Sequence, residues 1–274
     1  MAKVYNFSAG PCILPQEVLK EASEAVSNFD NLNLSLVEIS HRSKNFVAVM
    51  DETVELVKEL LEVPDNYDAV FIQGGASLGF VITAYNLMKE NGSAAYLNTG
   101  VWAEKAQKEA KLFGNVIEVA SSKGENYNHI PKGYSIPNDV DYFHCTSNNT
   151  IYGTQIKEFP ECSVPLVCDM SSDIFSKKVD ISKFDLIYAG AQKNMGPAGS
   201  TMYIIKKDVY GRSGRNIPSY LNLEIHADKE SMFNTPPVFP VYVSMLTLRW
   251  LKANGGVDWI EARNEAKAEL LYGE

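Results

Sequence analysis

The sequence predicts an α/β protein with a mostly parallel, mixed central sheet and helices on both faces. Short apolar runs rich in β-branched and aromatic residues alternate with stretches whose apolar residues recur at helical spacing. Several of these runs end in glycine-containing turns that lead into the next helical stretch. Such alternation is typical of βαβ crossovers, which bring the carboxyl ends of the strands to one edge of the sheet, where these folds bind ligands.

The individual elements follow from the same two periodicities. Pro15 marks the start of the first helix and Pro64 ends the second, while Gly92 and Gly114 are the expected ends of the third and fourth. The predicted helices span 15–29, 45–63, 76–92, 101–114, 241–256 and 257–271. The predicted strands span 68–75, 94–98, 115–120, 141–145, 165–170, 185–190 and 200–206. The polar, turn-rich stretches 121–139 and 216–240 are predicted to be irregular.

Composition restricts the class of protein. A chain of 274 residues that is 45% hydrophobic can bury one large core, with room for a small satellite domain. Its net charge of −9 argues against binding to nucleic acid or an anionic membrane, so an anionic substrate would need a local basic pocket. The sequence has neither a signal-peptide pattern nor an apolar run long enough to span a membrane. We therefore expect a globular, cytoplasmic protein.

The cysteines and histidines argue against a metal site. The four cysteines form no C-x-x-C pair and the four histidines form no H-E-x-x-H motif. Cys145 and Cys168 lie within apolar runs, and we interpret both as small core residues in a reducing compartment.

The strongest functional signal is an acid and a lysine at two successive strand ends. Asp169 ends one apolar run, and the next delivers Gln192 and Lys193 into a turn rich in glycine and proline. Pyridoxal phosphate requires this pairing, because a lysine bonds the cofactor and a carboxylate keeps the pyridine nitrogen protonated. Taken alone, Lys193 would be an ordinary turn lysine and Asp169 a helix cap, but together they favour cofactor binding.

These residues lie in a stretch that resembles the phosphoserine aminotransferase family. The family's Asp-Met-Ser-Ser and Ala-Gln-Lys-Asn-x-Gly-Pro-Ala-Gly segments have counterparts here, and YNFSAGPCILP, ISHRSK, GGAS and NTPPVFPVY extend the resemblance over nearly the whole chain. The resemblance implies an aspartate-aminotransferase-like large domain, pyridoxal 5'-phosphate as cofactor, and a homodimer with shared active sites.

The resemblance also assigns roles to individual residues. Ala76 and Ser77 would bind the cofactor phosphate at a strand-to-helix turn, where free N–H groups and the helix dipole favour an anion. Trp102 would stack on the ring, although by itself it reads equally as a packing residue. Asn234 and Thr235 would reach the phosphate of the neighbouring subunit. The implied cofactor contacts are Ala76, Ser77, Trp102, Thr150, Asp169, Gln192, Lys193, Asn234 and Thr235, with Lys193 and Asp169 as the catalytic pair.

The implied reaction transfers the amino group of L-glutamate to 3-phosphooxypyruvate and yields phosphoserine and 2-oxoglutarate. Lys193 would act as the general base, and a phosphorylated oxo-acid of vitamin B6 synthesis is a second expected substrate. His41 and Arg42 match the pair that contacts the substrate phosphate, and they would form the basic pocket that an acidic protein needs. Without the resemblance, His41 would be interpreted as a polar residue at the end of the helix that follows, with no role in binding.

The family pattern divides the chain into an N-terminal segment at 1–15, a large cofactor domain at 16–260, and the start of a truncated small domain at 261–274. In the family, later residues supply an arginine and a histidine for the substrate, and neither has a counterpart here. Three alternatives stay open: another class V aminotransferase or a cysteine desulfurase, a cofactor-binding form without turnover, and a purely structural module.

Overall fold

The computed structural model describes residues 4–273 as a seven-stranded mixed sheet between two helical layers. The seven α-helices are α1 (Gln16–Ser27), α2 (Lys44–Leu60), α3 (Ala76–Leu87), α4 (Val101–Ala110), α5 (Leu223–Asp228), α6 (Val238–Ala253) and α7 (Gly256–Tyr272). The strands are β1 (Tyr67–Gly74), β2 (Ser93–Asn98), β3 (Asn115–Ser121), β4 (Tyr142–Thr146), β5 (Asn148–Asn149), β6 (Thr154–Gln155), β7 (Leu166–Asp169), β8 (Leu186–Gly190) and β9 (Gly199–Lys206).

The order of strands in the main sheet is β1-β9-β8-β7-β4-β2-β3. Strands β3, β2, β4, β7 and β8 are parallel, whereas β9 runs antiparallel to both β8 and β1. Strands β5 and β6 form a separate two-stranded hairpin. The predicted α/β class with a mostly parallel, mixed sheet is therefore confirmed.

Alternating strand residues build a core on each face of the sheet. Ile187 and Ala189 of β8 belong to the cluster that includes residues of α1, α2 and α6, whereas Leu186 and Tyr188 belong to the cluster with α3 and α4. This period of two is what a strand buried on both faces requires. Because β4, β7 and β8 are parallel neighbours, their carboxyl ends lie at one edge of the sheet.

Helices α3 and α4 end at Leu87 and Ala110, earlier than predicted. The glycines expected to end them lie in the connections that follow. A Cβ on Gly114 would lie 2.6 Å from the carbonyl oxygen of Gly92, and one on Gly92 would collide with Asp141. Gly114 thus permits close packing between the two connections, and Gly92 permits the close approach of Asp141. The stretch 216–240 is also more regular than predicted, since it contains α5 and the start of α6.

Candidate active site

Lys193 lies three residues beyond the end of β8, half-buried in the turn that follows the strand. Its Nζ atom donates a hydrogen bond to Oγ1 of Thr150 at 3.0 Å. The N-terminal segment crosses the lysine so closely that a Cβ on Gly10 would lie 3.0 Å from the Lys193 Cε atom. Burial lowers the pKa of the Lys193 amine, while the acidic groups of Cys12 and Asp169 act in the opposite direction. The lower pKa favours the neutral amine, the form that can act as a nucleophile or base.

Asp169 is the last residue of β7 and is only 4% exposed. Its Oδ1 atom accepts hydrogen bonds from the backbone N–H of Ser171 at 2.9 Å and from the Ser171 hydroxyl at 2.6 Å. The same hydroxyl accepts the backbone N–H of Gly190 at 3.0 Å. Burial raises the pKa of the Asp169 carboxyl to about 6, although the bonds from Ser171 lower it. The neighbouring strand thus orients a carboxylate whose ionised form would be stabilised by a cation.

The hairpin of β5 and β6 carries Thr150 in its turn and is fastened to two other strand ends. Asn149 donates its side-chain amide to the Thr99 carbonyl, beyond β2. A Cβ on Gly100 would lie 2.5 Å from the side-chain nitrogen of Asn149, so only glycine fits at position 100. Asn148 donates to the hydroxyl of Ser172, beyond β7, at 3.0 Å. The hairpin that carries Thr150, the hydrogen-bond partner of Lys193, is therefore held by the loops that follow β2 and β7.

The GGAS turn, residues 74–77, joins β1 to α3 and lies beside the end of β8 and Gln192. Gly75 caps α3 without a side chain, and a Cβ there would meet no atom within 4 Å. The first internal hydrogen bond of the helix runs from the Leu78 N–H to Gly75, which leaves the preceding N–H groups at the positive end of the helix dipole. A Cβ on Gly190 would lie 2.7 Å from Oε1 of Gln192 and 3.4 Å from the Ala76 nitrogen.

These features fit pyridoxal phosphate. The open helix N-terminus suits its phosphate, the half-buried Lys193 amine suits its aldehyde, and the buried Asp169 carboxylate suits a protonated ring nitrogen. No group of three or more histidine, cysteine, aspartate or glutamate residues within 4–273 is arranged to hold a metal ion.

Three further sets of predicted site residues have no hydrogen bond to this cluster in the described chain. Trp102 is half-buried at the start of α4, with the Lys105 Nζ atom 4.5 Å from its ring centroid. The carbonyl of Thr235 accepts from the Gln73 side chain at 3.2 Å, and from the Asn234 amide at 3.3 Å, near the end of β1.

His41 and Arg42 precede Ser43, which caps α2. Burial, followed by the charge of Arg42, lowers the pKa of His41, whose buried Nε2 atom has no hydrogen-bond partner within residues 4–273. Arg42 is exposed. The fold therefore places an imidazole with a lowered pKa beside the Arg42 guanidinium, just before α2.

The residues that hold the predicted catalytic pair were not identified from the sequence. Ser171 orients Asp169, and its signal was a serine two residues beyond an acid, a spacing typical of a side-chain turn. Gly10 and Cys12 border Lys193, and the backbone N–H of Cys12 donates to the Gln192 carbonyl at 3.1 Å. No local pattern announces that long-range contact.

Comparison with known proteins agrees with this geometry. The model of the aminotransferase class-V family matches residues 4–274. A phosphoserine aminotransferase of Flavobacterium psychrophilum is 64% identical over 273 residues, which are 99% of this chain and 77% of the relative. One of Bacteroides fragilis is 56% identical over 272 residues, 99% of this chain and 76% of the relative.

Solved structures give the same result. The phosphoserine aminotransferase of Bacillus circulans subsp. alkalophilus has a TM-score of 0.95 at 42% identity and covers 99% of this chain and 76% of its own. The enzyme of Trichomonas vaginalis, solved with pyridoxal phosphate bound, has a TM-score of 0.94 at 35% identity and covers 98% and 77%. Fold and site define a pyridoxal-phosphate-dependent aminotransferase of class V. Within that class, the chain belongs to the phosphoserine aminotransferase family.

Replacing Asp169 by asparagine should stabilise the cofactor-free chain above pH 6. The folded pKa of about 6 exceeds the ordinary value of 3.8, so the folded chain keeps a proton that the unfolded chain releases. Stability from this group is fully present below the unfolded pKa and is lost as the pH rises through the folded pKa. Asparagine carries no charge, so the advantage of the variant should grow across this window towards about 3 kcal/mol.

Urea unfolding of both proteins from about pH 4 to about pH 8 measures this difference. Asp139→Asn is the matched control, because Asp139 is exposed and its loss removes the same charge. An advantage for Asp169→Asn that does not change with pH would contradict the assigned burial effect.

Proposed function

We propose that the chain transfers the amino group of L-glutamate to 3-phosphooxypyruvate, yielding O-phosphoserine and 2-oxoglutarate, as a step of serine biosynthesis. The observation that carries the proposal is the meeting of Lys193, Thr150 and buried Asp169 at the carboxyl ends of the strands. The substrate class comes from the names of the relatives, which are phosphoserine aminotransferases. A phosphorylated oxo-acid of vitamin B6 synthesis is a second candidate acceptor of the same chemistry.

Pyridoxal phosphate, when bound, supplies a protonated ring that accepts the electrons of the cleaved bond. Lys193 would hold the cofactor through its Nζ atom, and the same amine, when free, would be the base that accepts and moves the α-proton of the donor. Desolvation, which lowers the pKa of this amine, increases the fraction that is free to accept a proton. Thr150 fixes the position of Nζ through their hydrogen bond.

Asp169 keeps the proton on the ring nitrogen. A carboxylate at 4% exposure is costly in water-excluded surroundings unless a cation faces it, and a protonated ring nitrogen would supply that cation. Ser171 holds the carboxylate in place through two hydrogen bonds, so the pairing needs no reorientation during the reaction.

The phosphate of the cofactor is assigned to Ala76 and Ser77, at the start of α3, together with Gln192. Asn234 and Thr235 complete this cup from a second subunit, which makes the active enzyme a homodimer. Trp102 would hold the cofactor ring by stacking. His41 and Arg42 bind the phosphate of the substrate, since a guanidinium fork matches an oxyanion in both charge and geometry.

The same proposal assigns residues 1–15, 16–260 and 261–274 to the N-terminal segment, the cofactor domain and the start of a small domain. α7 is continuous across position 260 and would link the last two. A cytoplasmic location is supported by the four cysteines, which are all free in the described chain. No helix among residues 4–273 is long and apolar enough to cross a membrane.

After mixing with pyridoxal phosphate and removal of the unbound cofactor, the purified chain should retain an absorption band near the edge of the visible, and glutamate should shift it. Lys193→Ala should abolish the band because it removes the amine that bonds the cofactor. Lys229→Ala is the matched control, since Lys229 is an exposed lysine of α5's C-cap. A band that persists in Lys193→Ala would refute the assignment of this lysine.

Turnover with two acceptors then tests the substrate class. The ratio kcat/KM should be roughly 100-fold higher for 3-phosphooxypyruvate than for its unphosphorylated counterpart, because only the former meets the Arg42 guanidinium. Equal values would favour another class V aminotransferase. A glutamate-dependent spectral shift with no product would favour a cofactor-binding chain without turnover.

Shared active sites can be tested with mixed dimers. Lys193→Ala and Asn234→Ala each lose activity, but a dimer containing one of each has one intact site if the asparagine serves the partner. Random reassociation should restore about a quarter of the wild-type rate. Lys193→Ala mixed with Gln192→Ala is the control, because both residues serve their own subunit and no intact site can form. Recovery equal to that control would place Asn234 in the site of its own chain.

A further inference from the structure

Asp173 is a buried carboxylate that the proposed reaction does not use. It lies in the segment that follows β7 and is 5% exposed. Its Oδ1 atom accepts the hydroxyl of Ser147, its Oδ2 atom accepts the Gln155 amide at 3.3 Å, and the Lys177 Nζ atom lies 4.0 Å from Oδ2. Burial of a carboxylate with three polar partners costs desolvation free energy, because each partner must also leave water.

The partners of Asp173 come from both ends of the hairpin formed by β5 and β6. Ser147 directly precedes β5, and Gln155 is the last residue of β6. Lys177 links the carboxylate to the residue after β6, since its Nζ atom also donates to the Ile156 carbonyl at 3.3 Å. Residues at the base of the hairpin therefore contact the Asp173 carboxylate or its ion-pair partner Lys177. The turn of the same hairpin carries Thr150, which accepts a hydrogen bond from Lys193.

The same carboxylate is coupled to Asp169 through the backbone. The N–H and the hydroxyl of Ser147 lie 3.0 Å and 3.1 Å from the carbonyl oxygen of Asp169. The N–H of Asp173 donates to the Met170 carbonyl at 3.2 Å, within the turn that begins at the strand end. Asp173 thus lies where the hairpin meets the end of β7.

We infer that Asp173 is a positioning residue that fixes the base of the hairpin and thereby keeps Thr150 against Lys193. The inference rests on the proposed function, since it assigns Asp173 a part in placing the catalytic lysine. Asp173 itself contacts neither Lys193 nor the carboxylate of Asp169 by a hydrogen bond within residues 4–273. It acts through the hairpin and through its charge.

The charge of Asp173 reaches four titratable groups. Lys177 is its ion-pair partner, and Cys168, Asp169 and Lys193 each respond to its negative charge. That charge raises the pKa of the Lys193 amine, against the larger effect of burial. It also raises the pKa of the Asp169 carboxyl. Removal of the charge should lower both pKa values.

Hydrogen exchange of the full chain, freed of cofactor, tests the mechanical part of the inference. In Asp173→Asn, peptides covering residues 148–156 should exchange about tenfold faster, because hydrogen bonds to a buried charge are weakened at both ends of the hairpin. Peptides from β3 serve as an internal reference, and Asp139→Asn as the charge-matched control. Unchanged exchange in the hairpin would overturn the inference.

Labelling of Lys193 by an amine-specific reagent, followed by mass spectrometry across a pH series, tests the electrostatic part. The midpoint of labelling should fall to lower pH in Asp173→Asn, because the negative charge that raises the pKa of the Lys193 amine is gone, and stay unchanged in Asp139→Asn. A purely structural role would loosen the hairpin without moving this midpoint, so a fixed midpoint would also overturn the inference.

If Asp173→Asn does not fold, Gln155→Ala removes one hairpin partner and keeps the carboxylate. Faster exchange over residues 148–156 is again expected, and its absence would count against the inference. Failure of the proposed function is distinguishable, because it would appear as a missing cofactor band in the wild-type chain. Both measurements on Asp173 are made without cofactor and are independent of that band.

Discussion

Burial of the Asp169 carboxylate at the end of β7 is the constraint on which the rest of the site depends. Surroundings that exclude water raise its pKa to about 6, so its ionised form is unfavourable until a cation faces it. Ser171, itself fixed by the N–H of Gly190, holds the carboxylate in one orientation. A cofactor with a basic ring nitrogen would relieve this unfavourable burial, and the same pairing would make the ring a better acceptor of electrons.

The sheet delivers this carboxylate to the lysine. Because β4, β7 and β8 are parallel, their carboxyl ends and the loops that follow lie at one edge, and the hairpin after β4 spans that edge. Below it, the face towards α3 is filled by buried aromatic side chains. His144 hydrogen-bonds to the Tyr188 hydroxyl at 2.8 Å and stacks on Tyr96, and burial lowers the pKa of this histidine to about 3. A neutral, tightly packed layer therefore supports the strand ends from beneath.

The fold class could be predicted from the sequence, and so could the arrival of Asp169 and Lys193 at two successive strand ends, because both depend on local patterns. Apolar periodicity marks the strands, and an acid and a lysine at successive strand ends mark the cofactor chemistry. The supports of the site could not be predicted, because they are contacts between distant segments. Gly10 packs against Lys193, which is distant from it in the sequence. Asp173 accepts a hydrogen bond from Ser147, at the base of a hairpin that is too short to have a periodic signal. Residues assigned to a second subunit, such as Asn234, stay predictions for the same reason.

The most direct test of this account is the protonation state of the cofactor ring. The chain can be loaded with pyridoxal phosphate labelled at its ring nitrogen, and the nitrogen chemical shift recorded for the wild type and for Asp169→Ala. We expect a protonated ring nitrogen in the wild type at neutral pH and an unprotonated one in the variant. An unprotonated nitrogen in the wild type, or the same shift in both proteins, would contradict the role given to the buried carboxylate.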